Sequence, residues 1–122
     1  MRIFVVALGG ILMVSAVGAR GDSVRSVAIG GAGRDTCSAW VSDRGATSTS
    51  AQAAKQGRIE WIFGFLSGVN VFADRSGNLK GGVDDPDGVL GWIDQYCSAH
   101  PTDPLWAAAG ALVLNLRSHP RQ

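Results

Sequence analysis

The spacing of hydrophobic residues indicates helices along most of this chain, and residues 61–73 form the most apolar stretch outside the N-terminus. A helix that is apolar on nearly every side is either buried or inside a membrane. Crossing a bilayer takes about 20 residues, more than this stretch supplies. We therefore predict a long central helix over residues 50–74, capped by Ser50. Its buried face recurs at steps of three and four residues: Ile59, Ile62, Phe63, Leu66, Val69 and Ala73.

Two glycines, Gly64 and Gly68, lie four residues apart in this helix and mark one of its sides. A glycine inside a helix costs about 1 kcal/mol relative to alanine. The pair therefore predicts a groove in which another helix or a disulfide packs closely. A groove that holds a partner's helix or a ligand is the alternative interpretation.

Capping residues and helix-ending residues predict one further helix before the central helix and one after it. The first begins near Asp35 or Thr36, either of which can cap it, and ends at residues 43–45. Its inward face carries Cys37, Trp40 and Val41. The later helix begins at Pro86 with Asp85 as its cap, and His100 with Pro101 ends it. Its predicted buried face is Val89, Ile93, Tyr96 and Cys97, with Leu90 and Trp92 beside it.

The last predicted helix, residues 104–117, begins where Thr102, Asp103 and Pro104 repeat that start signal. Trp106 lies off its apolar stripe, which indicates a contact surface or packing against the first helix. Residues 75–82 are rich in glycine and are predicted to be a loop. Because no stretch alternates with period two, the sequence predicts an all-α, four-helix domain. The stripe comprises Leu105, Ala108, Ala109, Leu112, Val113 and Leu116.

The N-terminus has the features of a secretory signal peptide. Arg2 supplies a short positive region, the uncharged apolar run follows, and Val17-Gly18-Ala19 has the small residues of a cleavage site. We predict that residues 1–19 are removed on export to the periplasm, which leaves no membrane anchor. A retained anchor is the competing interpretation. Residues 20–34 are predicted to be flexible, and the folded domain is placed at residues 35–118.

The chain has two cysteines, Cys37 and Cys97. An even number of cysteines in an exported protein argues for a disulfide, and small exported domains usually need such a covalent cross-link. Closing a loop of about 60 residues would stabilise the fold by about 4 kcal/mol. A catalytic thiol or a metal site is the alternative. However, no Cys-x-x-Cys is present, and both histidines, His100 and His119, lie where a proline ends a predicted helix.

Charge narrows the possible functions. Removing residues 1–19 removes Arg2 and leaves ten basic and ten acidic residues, without a basic run that carries aromatic residues. Nucleic acid is therefore not an expected partner. The carboxylates of Asp84, Asp85 and Asp87 invite a calcium interpretation, but their spacing does not fit a calcium-binding loop, and capping by Asp85 is favoured. We expect neither a metal nor another cofactor.

Residue types that could perform catalysis do not form a recognisable set. Ser67 lacks the Gly-x-Ser-x-Gly context of a nucleophile elbow. Glu60 is ordinary at the polar start of a helix, and His100 suits either a pH switch or a cation at the negative end of a helix. We therefore do not expect an enzyme.

Several short motifs follow one another in an order that matches a known family. Residues 36–41 read Thr-Cys-Ser-Ala-Trp-Val, Gly64-Phe65 and residues 83–89 lie in the middle, and residues 96–101 read Tyr-Cys-Ser-Ala-His-Pro before Leu105-Trp106. The first resembles the Thr-Cys-x-x-aromatic-aliphatic opening of the HdeA/HdeB group of periplasmic acid-stress chaperones. The last is similar to the Tyr-Cys-x-x-Asn-Pro and later Leu-aromatic of its HdeB branch. The likeness covers about residues 36–116.

The resemblance implies a four-helix domain with a Cys37–Cys97 disulfide that forms a homodimer at neutral pH. In acid, such proteins separate, partly unfold and hold other periplasmic proteins against aggregation. Protonating the ten carboxylates would leave this chain strongly positive, and self-repulsion would oppose the compact state. The residues that would then meet unfolded client proteins are large and apolar, with Trp106 as a further contact candidate: Trp61, Phe63, Phe65, Leu66 and Phe72.

A second likeness concerns immunity proteins of the Tai/Rap type, which inhibit secreted cell-wall amidases. Residues 64–68 and 99–101 are similar to their Gly-Tyr-x-x-Gly helix and His-Pro run, although those proteins usually carry more cysteines. The chain also departs from the best-known HdeA/HdeB members, because it has two lysines, one glutamate and a short tail. The sequence thus favours an exported, non-enzymatic protein-binding domain, either an acid-stress chaperone or an immunity-type inhibitor.

Overall fold

Four helices of at least eight residues make up most of the described chain. The computed structural model describes residues 28–73 and 79–119. Apart from one isolated bridge between Thr36 and Pro104, no strand occurs in these two ranges, so the all-α prediction is confirmed. The elements are a 3-10 helix Gly31–Arg34, α1 Cys37–Arg44, α2 Thr49–Phe72, a single turn α3 Lys80–Val83, α4 Pro86–Ala99 and α5 Leu105–Ser118.

Side-chain caps fix where α1, α2 and α4 begin. Thr36 caps α1 by accepting from the backbone N–H of Ala39, and Asp85 caps α4 ahead of Pro86, as predicted. The predicted cap Ser50 is wrong. Ser48 is the cap of α2, because its extended backbone lets its hydroxyl accept from the N–H of Ala51, whereas Ser50 already lies in the first helical turn.

The start of α5 also differs from the prediction. Pro104 is the residue that precedes the helix, and no side chain caps it. The carboxylate of Asp103 instead accepts a hydrogen bond from the Tyr96 hydroxyl at 2.8 Å. Backbone pairing takes the place of a cap, because the N–H of Leu105 donates to the carbonyl O of Asp35 and the N–H of Cys37 donates to that of Asp103, both at 2.8 Å. The beginnings of α1 and α5 therefore hold each other.

The hydrophobic core lies where α1, α2, α4 and α5 face one another. All six residues of the predicted α5 stripe are buried. The Cys37–Cys97 disulfide is present, with the two Cα atoms 4.6 Å apart, and it joins α1 to α4 inside this core. The predictions of a four-helix domain and of one disulfide are confirmed. The other helices contribute Trp40 from α1, Ile62 and Leu66 from α2, and Val89 and Ile93 from α4.

The segment before α4 is more ordered than the predicted loop over residues 75–82. Leu79 is fully buried, and residues 80–83 form the turn α3. A Cβ atom on Gly82 would overlap the side chain of Leu116, so the chain approaches α5 closely there. Residues 75–78 of the predicted loop, and residue 74 at the end of the predicted central helix, lie outside the described residues.

The N-terminal segment predicted to be flexible, residues 20–34, is folded over the part that the structure describes. The 3-10 helix packs on α2 and α5. The indole N–H of Trp61 donates to the carbonyl O of Gly30 at 2.9 Å, and Gly33 is buried against the same ring. The folded region therefore extends upstream of residue 35. The predicted signal peptide, residues 1–19, and residues 20–27 lie outside the described part of the chain.

The close packing predicted at Gly64 and Gly68 is wrong for the described part of the chain. A Cβ atom on either glycine would meet nothing within 4 Å, so neither a described helix nor the disulfide packs against this side of α2. The predicted buried face of α2 also ends early, because Ala73 is exposed while Ile62 and Leu66 lie in the core. The helix continues beyond the elements that cover it, so its last turn carries apolar side chains in solvent.

Candidate functional site

An open groove of about 580 Å³ runs between α2 and α5, and its walls are almost entirely apolar. Within residues 28–73 and 79–119, Arg117 is the one charged residue of the lining. On the α2 side the lining residues are Phe65, Val69 and Ala73. On the α5 side the apolar ones are Trp106, Ala107, Gly110, Ala111, Val113 and Leu114.

The groove follows from the way α5 divides its residues between faces. The core stripe turns inward, and the neighbouring face carries Ala107, Gly110 and Ala111, whose small side chains leave space beside Phe65 of α2. Larger side chains project at the rim and stay in contact with solvent, with Leu114 64% exposed. An exposed apolar surface of this kind marks a place where another molecule can bind and cover it.

The structure brings together only some of the residues predicted to contact partners. Phe65 and Trp106 both line the groove, and Trp106 is 45% exposed. Trp61 stacks on Phe65 with ring centroids 5.4 Å apart, beneath the 3-10 helix. The remaining three lie apart from the groove: Phe63 is partly buried against the core, Leu66 is fully buried, and Phe72 is 84% exposed.

Gly110, Leu114 and Arg117 are groove residues that sequence reasoning missed. A signal for Gly110 and Leu114 was present, because they recur with Trp106 at steps of four residues and share one side of the helix. This side is next to the core stripe, and its glycine hides it from a search for large apolar residues. Only the placement of α2 beside α5 turns the pattern into a groove.

A buried cation holds the first half of the fold together. Arg58 of α2 is 9% exposed. Its Nε donates to Asp35 at 2.9 Å and its Nη1 donates to Asp43, so it joins the segment before α1 and the end of α1 to α2. Burial lowers the pKa of this guanidinium, but the hydrogen bonds and charges of Asp43 and Asp35 outweigh burial and leave the pKa raised.

A second polar cluster lies between α1 and α4. Asp94 accepts from the indole N–H of Trp40 at 2.7 Å and from two donors of Arg44 at 2.8 and 2.9 Å. The guanidinium of Arg44 also lies 5.4 Å from the centroid of the Trp40 ring. The hydrogen bond to Asp94 raises the pKa of Arg44, burial offsets part of that rise, and the attraction of the carboxylate adds to it. The cluster tethers α1 to α4 at a second point besides the disulfide.

Aromatic rings form a row along α4. Trp92 stacks on Tyr96, and Tyr96 stacks on His100, with centroids 5.4 and 4.3 Å apart. The hydrogen bond from the Tyr96 hydroxyl to Asp103 raises the pKa of Tyr96, and burial and the negative charge of Asp103 raise it further. The Nδ1 of His100 lies 2.9 Å from the carbonyl O of Tyr96 at the C-terminal end of the helix.

The residues weighed as catalytic or metal-binding candidates are dispersed. Ser67 is exposed on α2, and exposed Glu60 accepts a hydrogen bond from Gln56 one turn earlier. Asp84 and Asp87 are exposed, while Asp85 serves as the cap of α4. Within the two described ranges, no three His, Cys, Asp or Glu side chains converge as metal ligands would.

The groove and the polar clusters are the features of the described residues that bear on function. None of the helices within residues 28–73 and 79–119 has the length and apolar character needed to cross a membrane. No protein-family model, curated protein or solved structure matches this chain.

Proposed function

We propose that this protein is an exported, non-enzymatic binding protein of the acid-stress chaperone type, which opens at low pH and holds unfolded periplasmic proteins. The observation that carries the proposal is Arg58, a buried cation whose side-chain hydrogen bonds both end on carboxylates, Asp35 and Asp43. At about pH 3 and below, carboxylates take up protons. A buried guanidinium that loses its anionic partners strongly destabilises the fold around it.

The same chemistry acts at the second tether of α1. Arg44 is held by Asp94, so acid weakens the contacts of α1 with α4 as well as with α2. The disulfide survives acid and keeps α1 joined to α4. Such a molecule opens without losing its connectivity, and it can close again on neutralisation.

Opening would bring the apolar side chains of α2 into reach of client proteins. Phe65 and Trp106 already line the groove in the folded state. Leu66 is fully buried and becomes accessible only when α2 separates, and partly buried Phe63 becomes more exposed. The proposed client surface therefore begins at the groove and grows with opening.

Aggregation of an acid-labile periplasmic enzyme tests the proposal at about pH 3 and after neutralisation, with and without this protein. We expect suppressed aggregation together with a red shift of tryptophan emission. Arg58→Met should shift the opening to lower pH because it removes the buried cation, whereas Arg34→Met changes an exposed arginine and serves as the matched control. A protein that stays compact and protects nothing would rule out the chaperone.

An immunity-type inhibitor of a secreted cell-wall amidase is the second candidate. The observation that favours it is the groove itself, which is open in the folded state and needs no acid to form. Such an inhibitor would abolish the activity of one amidase at neutral pH at a one-to-one ratio and would leave acid-induced aggregation unchanged. The two candidates therefore give opposite results in the two assays.

A further inference from the structure

The floor of the α2/α5 groove is built of small residues. Ala107, Gly110 and Ala111 of α5 lie there, and a Cβ atom on Gly110 would meet nothing within 4 Å. Small side chains at a contact allow two helix axes to approach to about 8 Å. Phe65 and Val69 of α2 form the opposite wall. The groove is therefore a slot between two helices in which a third helix can pack.

The exposed apolar side chains around the slot cover more than one narrow strip. Trp106 and Leu114 lie eight residues apart on α5, about 12 Å along its axis. On α2, Phe65, Val69 and Ala73 form the facing wall. One acyl chain would cover only a line along the floor. A helix, about 10 Å across with its side chains, reaches the walls on both sides.

The walls also discriminate between a helix and an extended peptide. They present apolar side chains of two helices whose backbone groups are already paired within those helices. An extended peptide in the slot would leave buried N–H and C=O groups without partners, which is costly. A helix satisfies its own backbone groups and needs from the slot only apolar contacts.

The positive charge of Arg117 favours one direction for a helix bound in the slot. Among the lining residues that the structure describes, Arg117 alone is charged, and α5 contains no acidic residue. A guanidinium has five donors and binds a carboxylate in a bidentate way, so more than one acceptor can share it. An acidic residue is most favourable in the first turn of a helix. A partner helix that places its acidic first turn beside Arg117 would run antiparallel to α5.

We propose that the α2/α5 groove of the folded protein binds an amphipathic helix of a partner protein, antiparallel to α5, with an acidic residue of its first turn on Arg117. The inference concerns the folded state at neutral pH and does not require acid opening. It gives a binding mode to either of the two candidate functions.

A synthetic peptide tests the binding mode against the protein purified from the periplasm of an expression host, processed as the host processes it. The peptide has about 18 residues, or about five turns, with leucines on one face and a glutamate in its first turn. Fluorescence anisotropy at neutral pH measures its affinity. We expect saturable binding, a gain of peptide helicity, and about fivefold weaker binding of the peptide with lysine in place of that glutamate.

Variants of the protein locate the peptide. Gly110→Leu fills the floor of the slot at a position where a side chain meets no neighbour, and it should weaken binding at least about tenfold, equivalent to about 1.4 kcal/mol. Gly64→Leu makes the same change at an open position of α2 outside the groove and should leave binding unchanged. Arg117→Glu should reverse the preference between the two peptides. Circular dichroism checks that each variant keeps its helices.

Three results would overturn the proposal. Equal affinity of the peptide for the unchanged protein and for Gly110→Leu would place the binding elsewhere. Binding of the fatty acid laurate without binding of the peptide would show that the slot takes an acyl chain. A doubled mass in solution with Trp106 shielded, and no peptide binding, would show that a second copy fills it. The assay at neutral pH is independent of acid opening, so failure of either proposal leaves the other testable.

Discussion

At the scale of single residues, Trp61 positions the 3-10 helix that precedes α1. Its indole N–H donates to the carbonyl O of Gly30, and its ring covers Gly33 and stacks on Phe65 of the groove wall. The position of the 3-10 helix therefore depends on Gly33 having no side chain. Gly31 contributes by adopting a φ of +63°, which favours glycine.

Adding one methyl group tests that dependence. Gly33→Ala places a Cβ atom inside the ring of Trp61, so the 3-10 helix must move away, and we expect a loss of about 1–3 kcal/mol in the free energy of unfolding. Urea unfolding followed by tryptophan emission measures the loss. Gly30→Ala is the matched control, since a Cβ atom there meets nothing within 4 Å. Equal effects of the two changes would contradict the packing described.

Tyr96 links stability to alkaline pH. Its pKa is raised by the hydrogen bond to Asp103, by burial and by the charge of Asp103. A folded-state pKa above the unfolded value of about 10 means that the stabilisation is complete below pH 10 and is lost as the pH rises through the raised pKa. We expect Tyr96→Phe to remove this alkaline loss. As Tyr96 is the single tyrosine, tyrosinate absorbance reports its pKa directly, and a value at or below the ordinary one would contradict the contact.

At the scale of elements, the start of α2 shows that local sequence offers several solutions. Residues 47–50 read Thr-Ser-Thr-Ser, and any of them has a side chain that can cap a helix. The extended backbone of Ser48 selects it. We expect Ser48→Ala to cost about 1 kcal/mol and Ser50→Ala to cost almost nothing, measured by thermal or urea unfolding. A larger loss for Ser50→Ala would move the cap back to the predicted residue.

Long amphipathic helices could be predicted from the sequence because their periodicity is a property of the sequence itself. All six core residues of α5 and the buried positions Val89, Ile93 and Cys97 of α4 follow from it. The 3-10 helix and α3 could not be predicted in this way. They are short and rich in glycine, and their order comes from distant contacts, of Gly33 with Trp61 and of Gly82 with Leu116.

The groove was only partly predictable for a related reason. Trp106 stood out as a large residue off the core stripe, but its partners in the groove depend on where α2 lies beside α5. The spacing of Gly64 and Gly68 predicted close packing on α2, and that prediction was wrong because no element of the described chain packs on that side. A pattern on one helix identifies a face, and the neighbouring helices decide whether that face becomes a groove.

At the scale of the whole molecule, α1 is tied to α2 and α4 at three places. Arg58 pairs with Asp43 at its end, Arg44 and Trp40 meet Asp94 of α4, and the disulfide begins at its first residue. The ion pairs respond to pH and the disulfide to reducing agents. The two sets can therefore be released separately, which distinguishes their contributions experimentally.

Reduction of the Cys37–Cys97 bond measures what the disulfide contributes to the free energy of unfolding. The bond spans 60 residues, and constraining a loop of that length in the unfolded chain is worth about 4 kcal/mol. Both cysteines are fully buried, so a reducing agent reaches them only when the domain opens, and reduction should be slow under native conditions. Once reduced, the protein should unfold at a much lower urea concentration and should expose more surface on unfolding, because its unfolded chain is less compact.

Comparing the oxidised and reduced forms of one protein separates this constraint from packing, since both forms fill the same space in the core. The double change Cys37→Ala and Cys97→Ala adds the cost of a cavity and should be less stable than the reduced protein. Mass spectrometry after thiol labelling gives the fraction reduced at each time. A reduced protein within about 1 kcal/mol of the oxidised one would mean that the core and the ion pairs of α1 hold it on α4 without the bond.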